Sequence, residues 1–182
     1  MSKRSLLQRE ASMKKVTILA LAATALMVIP VGSVHVLAAQ RGTTCTLNGK
    51  AKFTPGLSTT TRATKYTFAG KLTGCKSTDA KLTSGTVTAA GAGSVACQGG
   101  STKGKATITW NTGKTTTVAY QTVDAGAVAQ LEGKVAGGTE TAYKKGDEIV
   151  GSLAFNADAT KCTGKGIPSA VFQGQVGGGS PS

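Results

Sequence analysis

The feature that most constrains this chain is an alternation. Beyond residue 42, apolar and polar residues trade places with a period of two, and no stretch carries the 3.6-residue period of an amphipathic helix. Lys105 to Tyr120, KATITWNTGKTTTVAY, shows it best. Ala106, Ile108 and Trp110 fall on one face of a first run, and Val118 and Tyr120 share a face of a second. Asn111, Thr112, Gly113 and Lys114 join the runs with residues that tolerate positive φ, which predicts a β-hairpin. The same alternation places Tyr66, Phe68, Gly70 and Leu72 on one side, and likewise Ala129, Leu131, Gly133 and Val135. It returns at Ile149, Gly151, Leu153 and Phe155, and at Ala170, Phe172, Gly174 and Val176. Turn residues separate the runs at Thr54–Leu57, Gly99–Gly100, Asp124–Gly126, Gly137–Gly138 and Thr163–Pro168. About eight short strands without intervening helices predict an all-β fold, an antiparallel β-sandwich of Ig-like or jelly-roll-like kind. A closed β-barrel is the alternative.

The first 39 residues read differently. Val16 to Ile29 is an apolar run preceded by Lys14 and Lys15, ended by Pro30 and followed by small residues at Ala38 and Ala39. A basic start, an apolar stretch and a small-residue cleavage site make residues 1–39 a Sec-type signal peptide, with translation expected from Met13 because Met13-Lys14-Lys15 opens a compact leader. The apolar run falls short of the roughly 20 residues that a membrane span needs. The reading is therefore an exported chain: a single domain over residues 40–176, a flexible tail over 177–182, and no stable membrane insertion after cleavage.

Beyond residue 39 the chain has no histidine, since His35, the only one, lies in the leader. That excludes Ser-His-Asp and Cys-His nucleophile systems and His-containing zinc sites from the exported part. A hydrolase would have to use carboxylates drawn from Asp124, Glu132, Glu140, Asp147, Glu148 and Asp158. With few aromatic residues left to line a cleft, the expectation is a protein that is not an enzyme, with no catalytic residues and no cofactor. Asp147-Glu148 and Asn156-Ala157-Asp158 carry oxygen ligands but not the full loop that calcium requires, so no metal is expected. Gly91-Ala92-Gly93 mimics part of a dinucleotide fingerprint without the helix that must follow it, and reads as a strand with a bulge or a close backbone approach.

All four cysteines, Cys45, Cys75, Cys97 and Cys162, follow the leader. An even number in an exported chain, with no C-x-x-C pair, predicts two disulfides. Three connectivities are possible and spacing does not choose between them; Cys45–Cys75 with Cys97–Cys162 is the expected one.

Charge is uneven. The part after residue 39 keeps 16 of 21 basic and 7 of 8 acidic residues, a net charge of +9. Residues 40–123 hold 11 of those basic residues and a single acid, Asp79. Lys50, Lys52, Arg62, Lys65 and Lys71 are the candidate polyanion-binding residues, for cell-wall polymer or another acidic partner. The competing account is that outward lysines keep an exported β-protein soluble. Sequence-specific nucleic-acid binding lacks the interleaved aromatics it would need.

Several segments together carry a resemblance. These are Phe53-Thr54-Pro55-Gly56-Leu57, Leu72-Thr73-Gly74-Cys75, a Gly- and Ser-rich run into Cys97, the hairpin from Thr107 to Thr115, and a late Cys162 after a Gly-Asp strand. In these the chain resembles small exported actinobacterial proteins, and the resemblance implies a disulfide-bonded β-sandwich with no assigned mechanism. In composition it is similar to the secreted apoproteins that carry enediyne chromophores, but its cysteine spacing differs and their function is not carried across.

Three functions are therefore set against one another. The first is a monomeric, non-enzymatic binding or structural protein of the cell exterior, engaging polyanions through a basic face. The second is a small-molecule carrier with Trp110 and Tyr120 facing its ligand, and the third a carboxylate-dependent hydrolase.

Overall fold

The structure is a computed structural model that describes residues 42–180; the expected signal peptide, its cleavage site and the alternative start at Met13 lie outside them. Eight strands follow one another: β1 Gly42–Leu57, β2 Arg62–Ser77, β3 Gly85–Ala96, β4 Gly99–Trp110, β5 Thr115–Ala125, β6 Val128–Gly138, β7 Glu148–Asn156 and β8 Ile167–Gly179. Each pairs antiparallel with its chain neighbours, and β1 also pairs with β8, so the sheet closes into a barrel. The expected all-β, antiparallel fold is found, and the closure of its sheet is that of the barrel alternative. The reason is local. Strands of 9 to 16 residues in strict sequence order leave no crossover to divide them between two sheets, and closure removes both edges.

The alternating faces read from the sequence are the inner faces. Ala106, Ile108 and Trp110 on β4, Val118 on β5, Ala129 and Val135 on β6, and Ile149 and Leu153 on β7 all join one buried core. Inward glycines match the larger side chains. A Cβ on Gly70 would lie 2.8 Å from Phe68 Cζ, and one on Gly133 would lie 2.8 Å from Tyr120 Cβ. Small residues opposite large ones let a narrow barrel fill without strain.

Several expected boundaries move. Asn48-Gly49 does not interrupt β1, and Thr54–Leu57 belongs to its irregular end, where the Thr54–Pro55 peptide is cis and the pairing with β8 shifts register. Gly99 and Gly100 begin β4, and the turn before them is Cys97-Gln98. A single 3-10 turn, Ala159–Thr163, sits between β7 and β8, capped by Asp158. Gly177–Gly179, expected in a flexible tail, pair with β1 on one side and β7 on the other.

Both disulfides form in the expected connectivity, Cys45–Cys75 and Cys97–Cys162. The first depends on a bulge. Inward positions on β2 are even-numbered as far as Leu72, which would leave Cys75 outside. Gly74, at φ +58°, inserts one extra residue where the register shifts beside Cys45. Phase reverses there, so Cys75 faces Cys45 and Ser77 Oγ reaches Thr43 Oγ1 at 2.7 Å. The two disulfides agree with an oxidising compartment. Among the described residues no helix is long and apolar enough to cross a membrane.

The barrel has two unlike ends. At one, Trp110 is buried, donates from Nε1 to Thr116 Oγ1 at 2.9 Å, and stacks on Tyr143 from the β6–β7 loop with centroids 5.8 Å apart. Leu82, from the β2–β3 loop, fills the same end. Asn111 in the β4–β5 turn ties that loop down: its Oδ1 accepts from Thr83 N and Ser84 N, and its Nδ2 donates to the Lys81 carbonyl. At the other end lie the short β3–β4 and β5–β6 turns, the 3-10 turn and the Cys97–Cys162 bridge.

Candidate functional site

The site is the barrel interior toward that second end. A cavity of about 100 Å³ lies among Phe68, Ala106, Leu131 and Phe172, and one of about 40 Å³ lies nearer the turns, beside Gly99 and Gly126. The two share Phe53, Thr102, Asp124, Ala129 and Phe172 as lining and so adjoin, together making up the interior passage. Apolar walls crossed by a few polar groups are the usual make-up of a small-molecule site.

Here the polar groups form a strip. Tyr66 Oη and Tyr120 Oη lie 2.6 Å apart, although two strands separate their backbones. Register explains how they meet. Tyr66 pairs with Gly91, Gly91 with Gly104, and Gly104 with Tyr120. Both rings therefore lie over a floor without side chains: a Cβ on Gly91 would be 2.6 Å from Tyr66 Oη, and one on Gly104 would be 2.7 Å from Tyr66 Oη and 3.0 Å from Tyr120 Oη. Of the two readings of Gly91-Ala92-Gly93, close backbone approach is the one found, since β3 pairs with β4 without a bulge.

The strip continues to the shared part of the passage. Thr102 Oγ1 donates to Tyr66 Oη at 3.4 Å and lies 2.8 Å from Thr122 Oγ1, and Thr122 Oγ1 approaches Asp124 Oδ2 at 3.4 Å as a donor. Burial pushes the Tyr120 hydroxyl well above the ordinary phenol range, with the bond to Tyr66 adding to it. Tyr120 stays protonated at neutral pH and keeps its hydroxyl hydrogen to share. Burial also raises Asp124 above the usual carboxylate range, and the Thr122 bond opposes the shift only in part.

The sequence candidates separate on this geometry. Tyr120 lines the cavity; Trp110 does not, and belongs to the plugged end with Tyr143. The ring that Tyr120 meets is Tyr66. Of the six carboxylates named above, only Asp124 lines either cavity among the described residues. Glu140 and Asp147 are buried in the β6–β7 loop, where Glu140 Oε1 accepts from Ala142 N at 3.0 Å and Asp147 Oδ2 from Lys144 N at 2.8 Å. Glu132 and Glu148 are exposed strand residues, and Asp158 caps the 3-10 turn. The passage therefore holds no carboxylate pair. Among the described residues no group of three or more His, Cys, Asp or Glu is placed to hold a metal ion.

Four of the five candidate polyanion-binding residues share the outside of the barrel. Lys50 and Lys52 on β1 and Lys65 and Lys71 on β2 are exposed, and Lys103 and Lys105 on β4 extend the group. The outward positions of β1 to β4 carry no carboxylate. Arg62 departs from the group: it stands at an inward position at the start of β2, and its guanidinium donates to the Gly56 carbonyl. Among the described residues the single ion pair is Lys161 with Asp158, so none of these six lysines is paired.

Fold and site together define a disulfide-bonded, eight-stranded up-and-down β-barrel with a partly polar interior passage. No family, curated protein or solved structure matches the chain.

Proposed function

We propose that the protein is exported and binds one small, largely apolar molecule inside its barrel, acting as a monomeric carrier without catalysis. The observation that carries this reading is the passage itself, about 100 Å³ in its larger part, apolar-walled and crossed by the strip from Tyr66 and Tyr120 to Asp124. A narrow, side-chain-filled eight-stranded barrel needs no such strip for stability, and burying hydroxyls and a carboxylate has a free-energy cost. Export is supported by the leader-like residues 1–39 and by the two disulfides. A closed sheet offers no edge strand to a second copy.

Native mass spectrometry of the protein recovered from culture supernatant tests the reading. The expected spectrum holds an added mass that denaturation releases, and Ala106→Phe, which fills the cavity wall, removes it. A bare protein that also takes up no compound from a broad panel of small aromatic and aliphatic molecules would refute it.

A second reading rests on the lysine face. Six exposed lysines on β1, β2 and β4, with no outward carboxylate on β1 to β4, favour binding to an anionic polymer such as a wall polysaccharide. Retention on isolated cell walls should then fall steeply between low and high salt, because exposed charges are screened. Salt-independent retention would refute it.

A further inference from the structure

Resting on the carrier reading, the geometry points to a ligand class: we infer that the passage selects small monocationic amines, with the ammonium group held at Asp124 and an apolar tail directed past the tyrosine pair. Two independent features of the passage support it.

The first is an isolated charge. Asp124 is the only ionisable acid or base among the residues lining the passage apart from the two tyrosines, and among the described residues no lysine or arginine pairs with it. Among the described residues Thr122 is its single side-chain hydrogen-bond partner, at Oδ2. A partly buried carboxylate beside apolar side chains, with one weak donor, suits a cation. Among the described residues the one lysine that pairs with an acid is Lys161, engaged with Asp158 at the start of the 3-10 turn. The outer lysines point away from the interior.

The second is what surrounds it. Phe53 and Phe172 line both parts of the passage together with Asp124, and Phe155 lines the outer part, its ring 5.3 Å from that of Phe172. Phenyl rings lining the same cavity as a carboxylate suit an ammonium ion, which gains from a ring face as well as from the opposite charge. They give a carboxylate ligand nothing, and Asp124 would repel it. The inner cavity, about 100 Å³, then limits the tail to about the size of a phenyl ring or a short alkyl chain.

The probes are 2-phenylethylamine, 2-phenylethanol and phenylacetate, which share a ring and a short linker and differ in charge. Their affinities are measured by isothermal titration calorimetry at neutral pH and moderate salt, on the disulfide-intact exported protein and on Asp124→Asn. The amine is expected to bind about tenfold or more tighter than the alcohol, and phenylacetate more weakly than either, in keeping with a charge-assisted contact. In Asp124→Asn the amine and the alcohol should come within about twofold of each other, while the alcohol itself still binds. If alcohol and amine bind equally to the unaltered protein, if phenylacetate binds best, or if the amine keeps its advantage in Asp124→Asn, the assignment of the ligand class falls and the carrier reading stands. If none of the three binds either protein, the assignment of the ligand class falls, and the carrier reading is decided by the native mass spectrum and the broad panel.

Discussion

Gly104→Ala, combined with Tyr66→Phe in a double-mutant cycle, tests whether the tyrosine bridge depends on a floor of glycines. On Gly104 the new Cβ would lie 2.7 Å from the Ala90 carbonyl oxygen, 2.7 Å from Tyr66 Oη and 3.0 Å from Tyr120 Oη. The backbone contact must be relieved by a shift of strand, for which overpacking of this kind costs roughly 1 to 3 kcal/mol. Separating the two hydroxyls, now 2.6 Å apart, adds about 1 kcal/mol for the weakened hydrogen bond. Gly104→Ala should therefore destabilise by about 2 to 4 kcal/mol in total, a large share of a typical stability of about 5 to 15 kcal/mol. Tyr66→Phe alone loses the bridge without crowding, and should cost about 1 to 2 kcal/mol.

The combination is the informative arm. Removing Tyr66 Oη deletes one of the two closest atoms that the new methyl meets, whereas the Ala90 oxygen remains. The double variant should thus be more stable than the sum of the single effects by about 1 kcal/mol or more, a partial rescue. Urea unfolding with a common slope reads all four corners. An independent signal comes from alkaline ultraviolet titration, in which the Tyr120 hydroxyl should ionise earlier once Tyr66 is Phe, because one of the influences raising it is gone. Additivity within about 0.5 kcal/mol would refute the reasoning, since the two sites would then not share a contact.

Trp110→Phe should cost about 2 to 3 kcal/mol by removing the indole donor from Thr116, itself only 1% exposed, yet leave ligand affinity unchanged because Trp110 does not line the passage; thermal unfolding and calorimetry check the two halves. In the chain-entropy account, replacing both cysteines of the 65-residue Cys97–Cys162 link with serine should cost about 4.3 kcal/mol, against about 3.6 kcal/mol for the 30-residue Cys45–Cys75 link, an order that urea midpoints will show. Asp124 is raised by burial, so its contribution to stability is full below the unfolded carboxylate range and lost as pH rises through its folded value; Asp124→Asn should flatten that acid-side slope in unfolding followed against pH. Tyr120 and Tyr143 are raised as well, so the barrel should weaken as pH climbs past the ordinary phenol range, where only the unfolded chain ionises.

How much of this was legible in the sequence varies with the range of the interaction. Alternation is local, and it placed Ala106, Ile108, Trp110, Leu131 and Leu153 on the correct side before any partner strand was known. The β4–β5 turn was equally local, but its register was not: joining the runs through Asn111–Lys114 would set Trp110 opposite Thr115, whereas Thr109 pairs with Thr115 and Gly104 with Tyr120. The other half of the bridge was hidden. To find Tyr66 one needs the β3–β4 register, and that turns on Cys97-Gln98, two residues without a turn signature, while the glycine pair that looked like the turn belongs to β4. Gly74 was hidden for another reason: a bulge shows as a change of phase between strands, and one strand alone does not reveal it. Trp110 suggested a ligand contact because a lone large ring on a hairpin is conspicuous, but what decides its role is Tyr143, which arrives from a loop that periodicity does not describe.

Closure of the sheet also makes the fold a ring that happens to be cut. Gly42 lies opposite Gly179, so the two described termini stand side by side on neighbouring strands. No junction between strands is privileged: the one with no connecting turn is paired like the other seven. A short linker from Gly179 to Gly42, with new ends opened at Gly126-Ala127, would keep every strand pairing and both disulfides while reordering the chain. The new ends would also lie at the turn that borders the outer cavity, so such a permutant would loosen the entrance to the passage and leave its tryptophan-sealed end closed.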